Sequence, residues 1–159
     1  MTIRVLGVDP GTAITGYGVV ERVPGRPGRL VECGVLRTKA ADPLALRLDA
    51  LYQGIREVIM QHAPTALAVE SVFYGRNVRS TVTLSHARAV ILLAAAQAGI
   101  PVSEYAPAAV KRAVVGNGRA GKQQVGFMVQ QLLKLRAAPR PADAADGVAI
   151  ALTHLLAYR

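Results

Sequence analysis

The chain begins with a run, Ile3–Asp9, that is apolar apart from Arg4 and a closing carboxylate, and Pro10-Gly11 interrupts it at once. That pattern reads as a strand buried on both faces and ended by a turn. An acid at such an end is either a turn cap or a ligand or catalytic group held at the mouth of a rigid sheet. The choice depends on whether other carboxylates reach the same edge. Residues 66–70 supply a first candidate, a second short apolar run that finishes on Glu70.

The connections determine how the two runs relate. Residues 16–23 and 30–37 read as strands two and three, around the turn Pro24-Gly25-Arg26-Pro27-Gly28. Three strands joined so briefly are antiparallel neighbours, because a parallel pair needs a long crossover. Gly16 and Gly18 weaken strand two and suit either close approach by backbone or ligand, or local curvature. Residues 43–62 carry Leu44, Leu48, Leu51, Ile55 and Val58-Ile59 at helical spacing, and Ala63-Pro64 stops that helix. A second helix, capped by Asn77 or Ser80, runs to about residue 98. Its centre at 87–96 is apolar almost all round apart from Arg88, so it needs cover on more than one side, within the protein or across a subunit interface. Residues 102–105 form a fifth strand, 107–114 and 123–135 helices, and 141–158 a last helix entered through Pro141.

The expected fold is α/β. An antiparallel three-stranded meander is extended by two parallel strands through right-handed crossovers, giving a mixed five-stranded sheet with helices on both faces. Residues 1–159 are expected to form one domain.

In this arrangement strand four lies parallel to strand one, and Asp9 and Glu70 close neighbouring strands ~4.8 Å apart. Asp143 and Asp146, three residues apart, share a face of the last helix. They occupy its first turns, where the positive helix end favours anions, and Gly147 leaves room for close approach to the sheet. Asp143 alone reads equally well as an ordinary first-turn acid. Asp146 is harder to explain that way, because it borders the apolar stripe and no Lys or Arg lies between 141 and 158 to offset it. Four clustered acids repel unless protonated or bridged by cations, and all-oxygen ligands suit Mg²⁺ or Mn²⁺. Two such ions ~4 Å apart can activate a water on one side of a phosphodiester and neutralise the departing oxygen on the other. Lys122, at the start of its helix in the glycine-rich basic stretch 115–122, either adds positive charge near that phosphate or is simply solvated.

The formal net charge is +9, and between residues 71 and 124 Arg76, Arg79, Arg88, Lys111, Arg112, Arg119 and Lys122 stand against Glu104 alone. A polyanionic partner is expected, with binding that weakens steeply as salt rises; a merely basic enzyme is the alternative. The one cysteine, Cys33, excludes an internal disulfide and fits a cytoplasmic location. The longest apolar run, 89–96, is far short of a membrane span, and the N-terminus lacks a signal-peptide layout.

Five stretches, in order and at their spacing, carry a family likeness. They are Gly7-Val8-Asp9-Pro10-Gly11 with Gly16-Tyr17-Gly18-Val19, then Val69-Glu70-Ser71-Val72-Phe73, then Tyr105-Ala106-Pro107. Val110-Lys111 through Val114-Val115-Gly116 and Ala142-Asp143-Ala144-Ala145-Asp146-Gly147-Val148-Ala149-Ile150-Ala151 complete the set. The chain resembles the RuvC family of Holliday junction resolvases, endonucleases with an RNase H-like fold. The resemblance implies a homodimer that binds a four-way DNA junction and makes paired, symmetric nicks in recombination and repair. Branch-migration machinery is a further expected partner. It also implies that Asp9, Glu70, Asp143 and Asp146 hold two Mg²⁺ per site, with Mn²⁺ able to substitute. Some members carry histidine where this chain has Asp143. Phe73 is expected to stack on a base at the opened junction, and Lys111 and Lys122 to lie near the active centre and the DNA backbone. Tyr74, Arg76, Arg79 and Arg119 are further expected DNA contacts. The family often has an acid where this chain has Gly121.

Three other readings compete. The strand–Asp-Pro-Gly-Thr opening also resembles the first phosphate loop of actin-like ATPases and sugar kinases, which need two such domains around the nucleotide. An RNase H-type enzyme acting on another nucleic acid would keep all four acids, and only substrate comparison separates it. A silent junction-binding protein would have no reason to retain four costly carboxylates.

Overall fold

Alternation along the first strand divides the interior in two. In the computed structural model, which describes residues 1–72 and 77–158, β1 (Ile3–Asp9) turns Leu6 and Val8 to one side and Val5 to the other. Leu6 and Val8 join Val19, Leu67 and Val69 beneath α1 (Leu44–His62) and α2 (Val78–Gln97). Val5 joins Val20 and Ala68 beneath α3 (Pro107–Val115), α4 (Lys122–Leu132) and α5 (Ala142–Ala157). A strand with apolar residues on both faces needs cover on both, and receives it.

The sheet order is β3-β2-β1-β4-β5, with β2 (Ile14–Arg22), β3 (Arg29–Arg37), β4 (Ala66–Glu70) and β5 (Val102–Tyr105). β1–β2 and β2–β3 are antiparallel, while β4 and β5 run parallel to β1. This is the mixed sheet expected from the connection lengths. Pairing of Val8 with Val69 places Asp9 and Glu70 side by side at one sheet edge.

Helix α5 lies against β1 and β2 and buries eleven of its sixteen residues, from Ala144 to Leu155. Glycines permit the contact: the space a side chain on Gly16 would take is filled by the Asp143 main chain, and that on Gly147 by the Tyr17 main chain. Of the readings open for Gly16 and Gly18, close backbone approach is the one that holds.

Two elements depart from expectation. Helix α4 stops at Leu132 rather than 135, because Lys134 adopts a left-handed conformation (φ 52°) that a continuing helix excludes. Helix α2, capped by Asn77 through its side chain to the Ser80 N–H, buries only Ala87, Ile91, Ala94 and Ala95. The opposite stripe, Val82, Ala89, Leu93 and Ala96, is exposed, so among the described residues the helix has cover on one side only.

Candidate active site

The two-residue period of a strand decides where the acids point. Asp9 has the parity of Val5, and Glu70 that of Ala68, so both side chains face α5 rather than α1 and α2. Asp9 also pairs across β2 with Gly16, the residue on which the main chain of Asp143 rests. One helical turn on, Asp146 faces the same edge. The result is a trio: carboxylate oxygens of Asp9, Asp143 and Asp146 all lie within 4.8 Å of one another. Glu70 stands outside that trio, with its carboxyl against that of Asp9.

The turn after Asp9 is shaped by Thr15, fully buried, whose hydroxyl donates to the Gly11 carbonyl (2.6 Å) and accepts from the Gly11 N–H (3.1 Å). Behind Glu70, the Arg88 side chain reaches from α2 to the Glu70 main-chain carbonyl (3.4 Å) and pairs with Glu104 of β5 (2.5 Å). Both residues shape the site and neither was anticipated as part of it. For Arg88 a signal was present, a lone charge in an otherwise apolar helical run.

A cleft of about 260 Å³ opens in front of the acids, lined by Asp9, Glu70 and Asp146 together with Lys111 and Lys122. Lys122 Nζ stands 3.7 Å from Asp146 Oδ2, with most of the lysine in solvent, so the pair is screened and weak. Proximity of the acids has a titration signature. Burial, followed by the charges of Glu70 and Asp146, pushes the Asp9 carboxyl up to about 7. Burial also raises Glu70, against a hydrogen bond from Asp9. It raises Asp146, against the opposing charge of Lys122. Such a set is costly as bare anions and well matched to a divalent cation. Its donors are all hard oxygens, and 4.8 Å is close to the ~4.2 Å spanned by two ligands across Mg²⁺.

The other expected DNA contacts divide into three groups. Lys111 and Lys122 line the cleft. Arg79, in the first turn of α2, borders a shallow groove with Gly11, Thr12, Ser80 and Thr83 at the same sheet edge. Arg119 is exposed on the α3–α4 loop, where its N–H donates to the Asn117 side chain, outside the cleft lining. Phe73, Tyr74 and Arg76 lie outside the described residues.

Acids from two strands and a helix, faced by lysines at the edge of a mixed sheet, define a nuclease of the RNase H-like class. The family model described as crossover junction endodeoxyribonuclease RuvC matches residues 5–154, and the chain belongs to that family. It is 51% identical over 154 residues to the crossover junction endodeoxyribonuclease RuvC of Pelotomaculum thermopropionicum, covering 97% of this chain and 93% of that one. Against the Parafrankia sp. protein of the same description it is 54% identical over 153 residues, with coverages of 96% and 86%. Among solved structures, T. thermophilus RuvC in complex with Holliday junction substrate superposes with a TM-score of 0.92 at 38% identity, covering 99% of this chain and 95% of the other. The yeast mitochondrial Holliday junction resolvase Ydc2 shares the fold at a TM-score of 0.66 and 13% identity, over 97% and 79% of the two chains.

Proposed function

We propose that this protein resolves four-way DNA junctions by hydrolysing one phosphodiester per active site, in pairs, as a homodimer with residues 1–159 acting as one nuclease domain. The observation that carries the proposal is the meeting of Asp9, Asp143 and Asp146 within 4.8 Å, with Glu70 beside Asp9. The similarity to a RuvC chain bound to a junction supports the choice of substrate.

Asp9, Glu70, Asp143 and Asp146 would hold two Mg²⁺, or Mn²⁺ in their place. Bound there, the ions would supply polarisation of a water and charge for the departing 3′ oxygen. The chain's own part is positional. Asp9 and Glu70 are fixed by the sheet register, and Asp143 and Asp146 by the contact of α5 with β2. Lys122 and Lys111, across the cleft, hold the scissile phosphate against the acids and lower the cost of its charge. Arg76, Arg79 and Arg119 bind flanking phosphates, Phe73 meets a base at the opened crossover, and Tyr74 adds a further DNA contact.

A junction needs two related cuts, which a two-fold pair supplies by symmetry. The exposed apolar stripe of α2, with Leu93 half exposed, is the face proposed to meet the second copy. Among the described residues no helix is long and apolar enough to cross a membrane. A cytoplasmic location and contact with branch-migration machinery belong to the same proposal.

The test compares wild type with Asp9→Asn on a mobile four-way junction, a linear duplex and an RNA–DNA hybrid, with Mg²⁺ or Mn²⁺. Wild type is expected to nick the junction symmetrically, and the variant to bind it without cutting. Normal Mg²⁺-dependent cleavage by Asp9→Asn would remove Asp9 as a ligand. Preference for the hybrid would replace the substrate.

A further inference from the structure

A second groove leaves the active-site cleft beside Lys122 and Asp146, and of the four acids only Asp146 borders it. It measures about 510 Å³, within the ~300–1,000 Å³ of clefts that take small ligands. One wall is the first turns of α4, with Lys122 and Gly126; the other is the segment entering α5, with Pro139, Arg140 and Ala142. Lys122 and Asp146 border both this groove and the cleft, so the two are continuous.

Gly126 gives this space its interest. Glycine in a helix interior costs about 1 kcal/mol relative to alanine, a cost usually explained by a neighbour that needs the room. Here a Cβ on Gly126 would meet nothing within 4 Å, whereas on Gly147 or Gly16 it would strike main chain. The room at Gly126 therefore accommodates none of the described residues, and it opens into the groove.

Resting on the function proposed above, the geometry points to this groove as the seat of the nucleotide next to the scissile phosphate on the cleaved strand. Its base would lie over Gly126, between α4 and the Pro139–Ala142 wall, with Arg140 at the outer end for the next phosphate. Three features select that occupant. A strand whose phosphate sits at Asp9 and Asp146 must leave the cleft through its neighbouring space. The lining of Gly126, Pro139 and Ala142 is apolar and small, suited to a flat ring. The flanking cations, Lys122 and Arg140, outnumber the one acid of the lining, Asp146, and match a polyanion.

The test fills the groove and then removes the base. Gly126→Leu is measured with wild type on junctions that are intact, or that carry an abasic residue immediately 5′ or 3′ of the mapped cleavage position. On intact junctions kcat/KM of the variant is expected to fall roughly tenfold below wild type, and on the abasic junction of one flank the two proteins should agree within about threefold. In wild type, the same abasic residue is expected to lower kcat/KM by about threefold or more. Three results would overturn the assignment: no loss in the variant, as for a solvent-filled groove; an equal loss on intact and abasic junctions; or wild-type rates indifferent to the base at either flank. If Gly126→Leu does not fold, as judged by circular dichroism, Ala142→Leu on the facing wall is held to the same criteria, and the wild-type comparison stands by itself. Failure of the parent reading looks different, because wild type would then leave the intact junction uncut.

Discussion

Replacing Gly147 by alanine tests how the acids are brought together. The added Cβ would lie 2.5, 2.6 and 2.8 Å from Tyr17 Cα, C and N, main-chain atoms in the middle of β2 that cannot rotate away. Ordinary contact begins near 3.4 Å, so α5 must withdraw by about 0.9 Å or β2 must bend. Overpacking of this kind costs roughly 1–3 kcal/mol, and alanine in a helix interior returns up to about 1. The net expectation is a loss of about 1–2 kcal/mol, or roughly 3–6 °C in Tm for a chain of this size. Activity should suffer more than stability. Asp143 and Asp146 ride on the helix that moves while Asp9 and Glu70 stay with the sheet, and a ~1 Å misplacement can cost ~10²-fold in rate. The assay pairs thermal melts without metal with single-turnover cleavage across a Mg²⁺ titration. A lower rate, a higher Mg²⁺ midpoint and a modest fall in Tm are expected. A Gly147→Ala protein that melts at or above the wild-type temperature and cuts at the wild-type rate would refute the reasoning.

Gly126→Ala should behave oppositely, gaining about 1 kcal/mol in thermal melts because its Cβ enters open space. In metal-free protein the Asp9 carboxyl, raised to about 7 from 3.8, keeps its proton in the folded state after the unfolded chain has lost it. Stability should then fall as pH climbs from about 4 to about 7, by a total on the order of 2–4 kcal/mol; Asp9→Asn should flatten that slope, and Mg²⁺ should restore stability most at high pH, read as Tm at pH 5 and 8 with EDTA or Mg²⁺. Junction affinity measured by anisotropy should drop by orders of magnitude between about 50 and 200 mM salt, and a flat salt response would contradict a phosphate-binding basic surface. For the proposed homodimer, Leu93→Glu should shift sedimentation toward a monomer, whereas an unaltered dimer would place the interface elsewhere than the α2 stripe.

Much of this was legible in the sequence, and the parts that were not share a cause. Strand ends at Asp9 and Glu70, and the three-residue step from Asp143 to Asp146, are local facts, and short connections dictate the pairing that joins them. What local pattern cannot supply is the identity of a neighbour across space. The cation beside Asp146 is absent from its own helix and arrives as Lys122 from α4. Gly16 in sequence suits backbone approach, ligand approach or curvature alike, and the Asp143 main chain against it is what decides. The apolar centre of α2 gave no sign of which side lacks cover, because a helix apolar almost all round has no pattern from which a face can be read. Arg88 stood out by composition, but its bond to the Glu70 carbonyl depends on α2 passing behind β4.

The seam between α5 and the sheet has one more consequence. Where most helices rest on a layer of side chains that can repack, this one meets strands with bare backbone at Gly7, Gly16 and Gly18. At those glycines the joint has no cushion, so a push on the outer side of α5, from α3 or α4 through residues such as Val114 and Val129, passes to the carboxylates. Substitutions in that outer layer, remote from DNA and metal alike, should therefore register in catalysis before they register in folding.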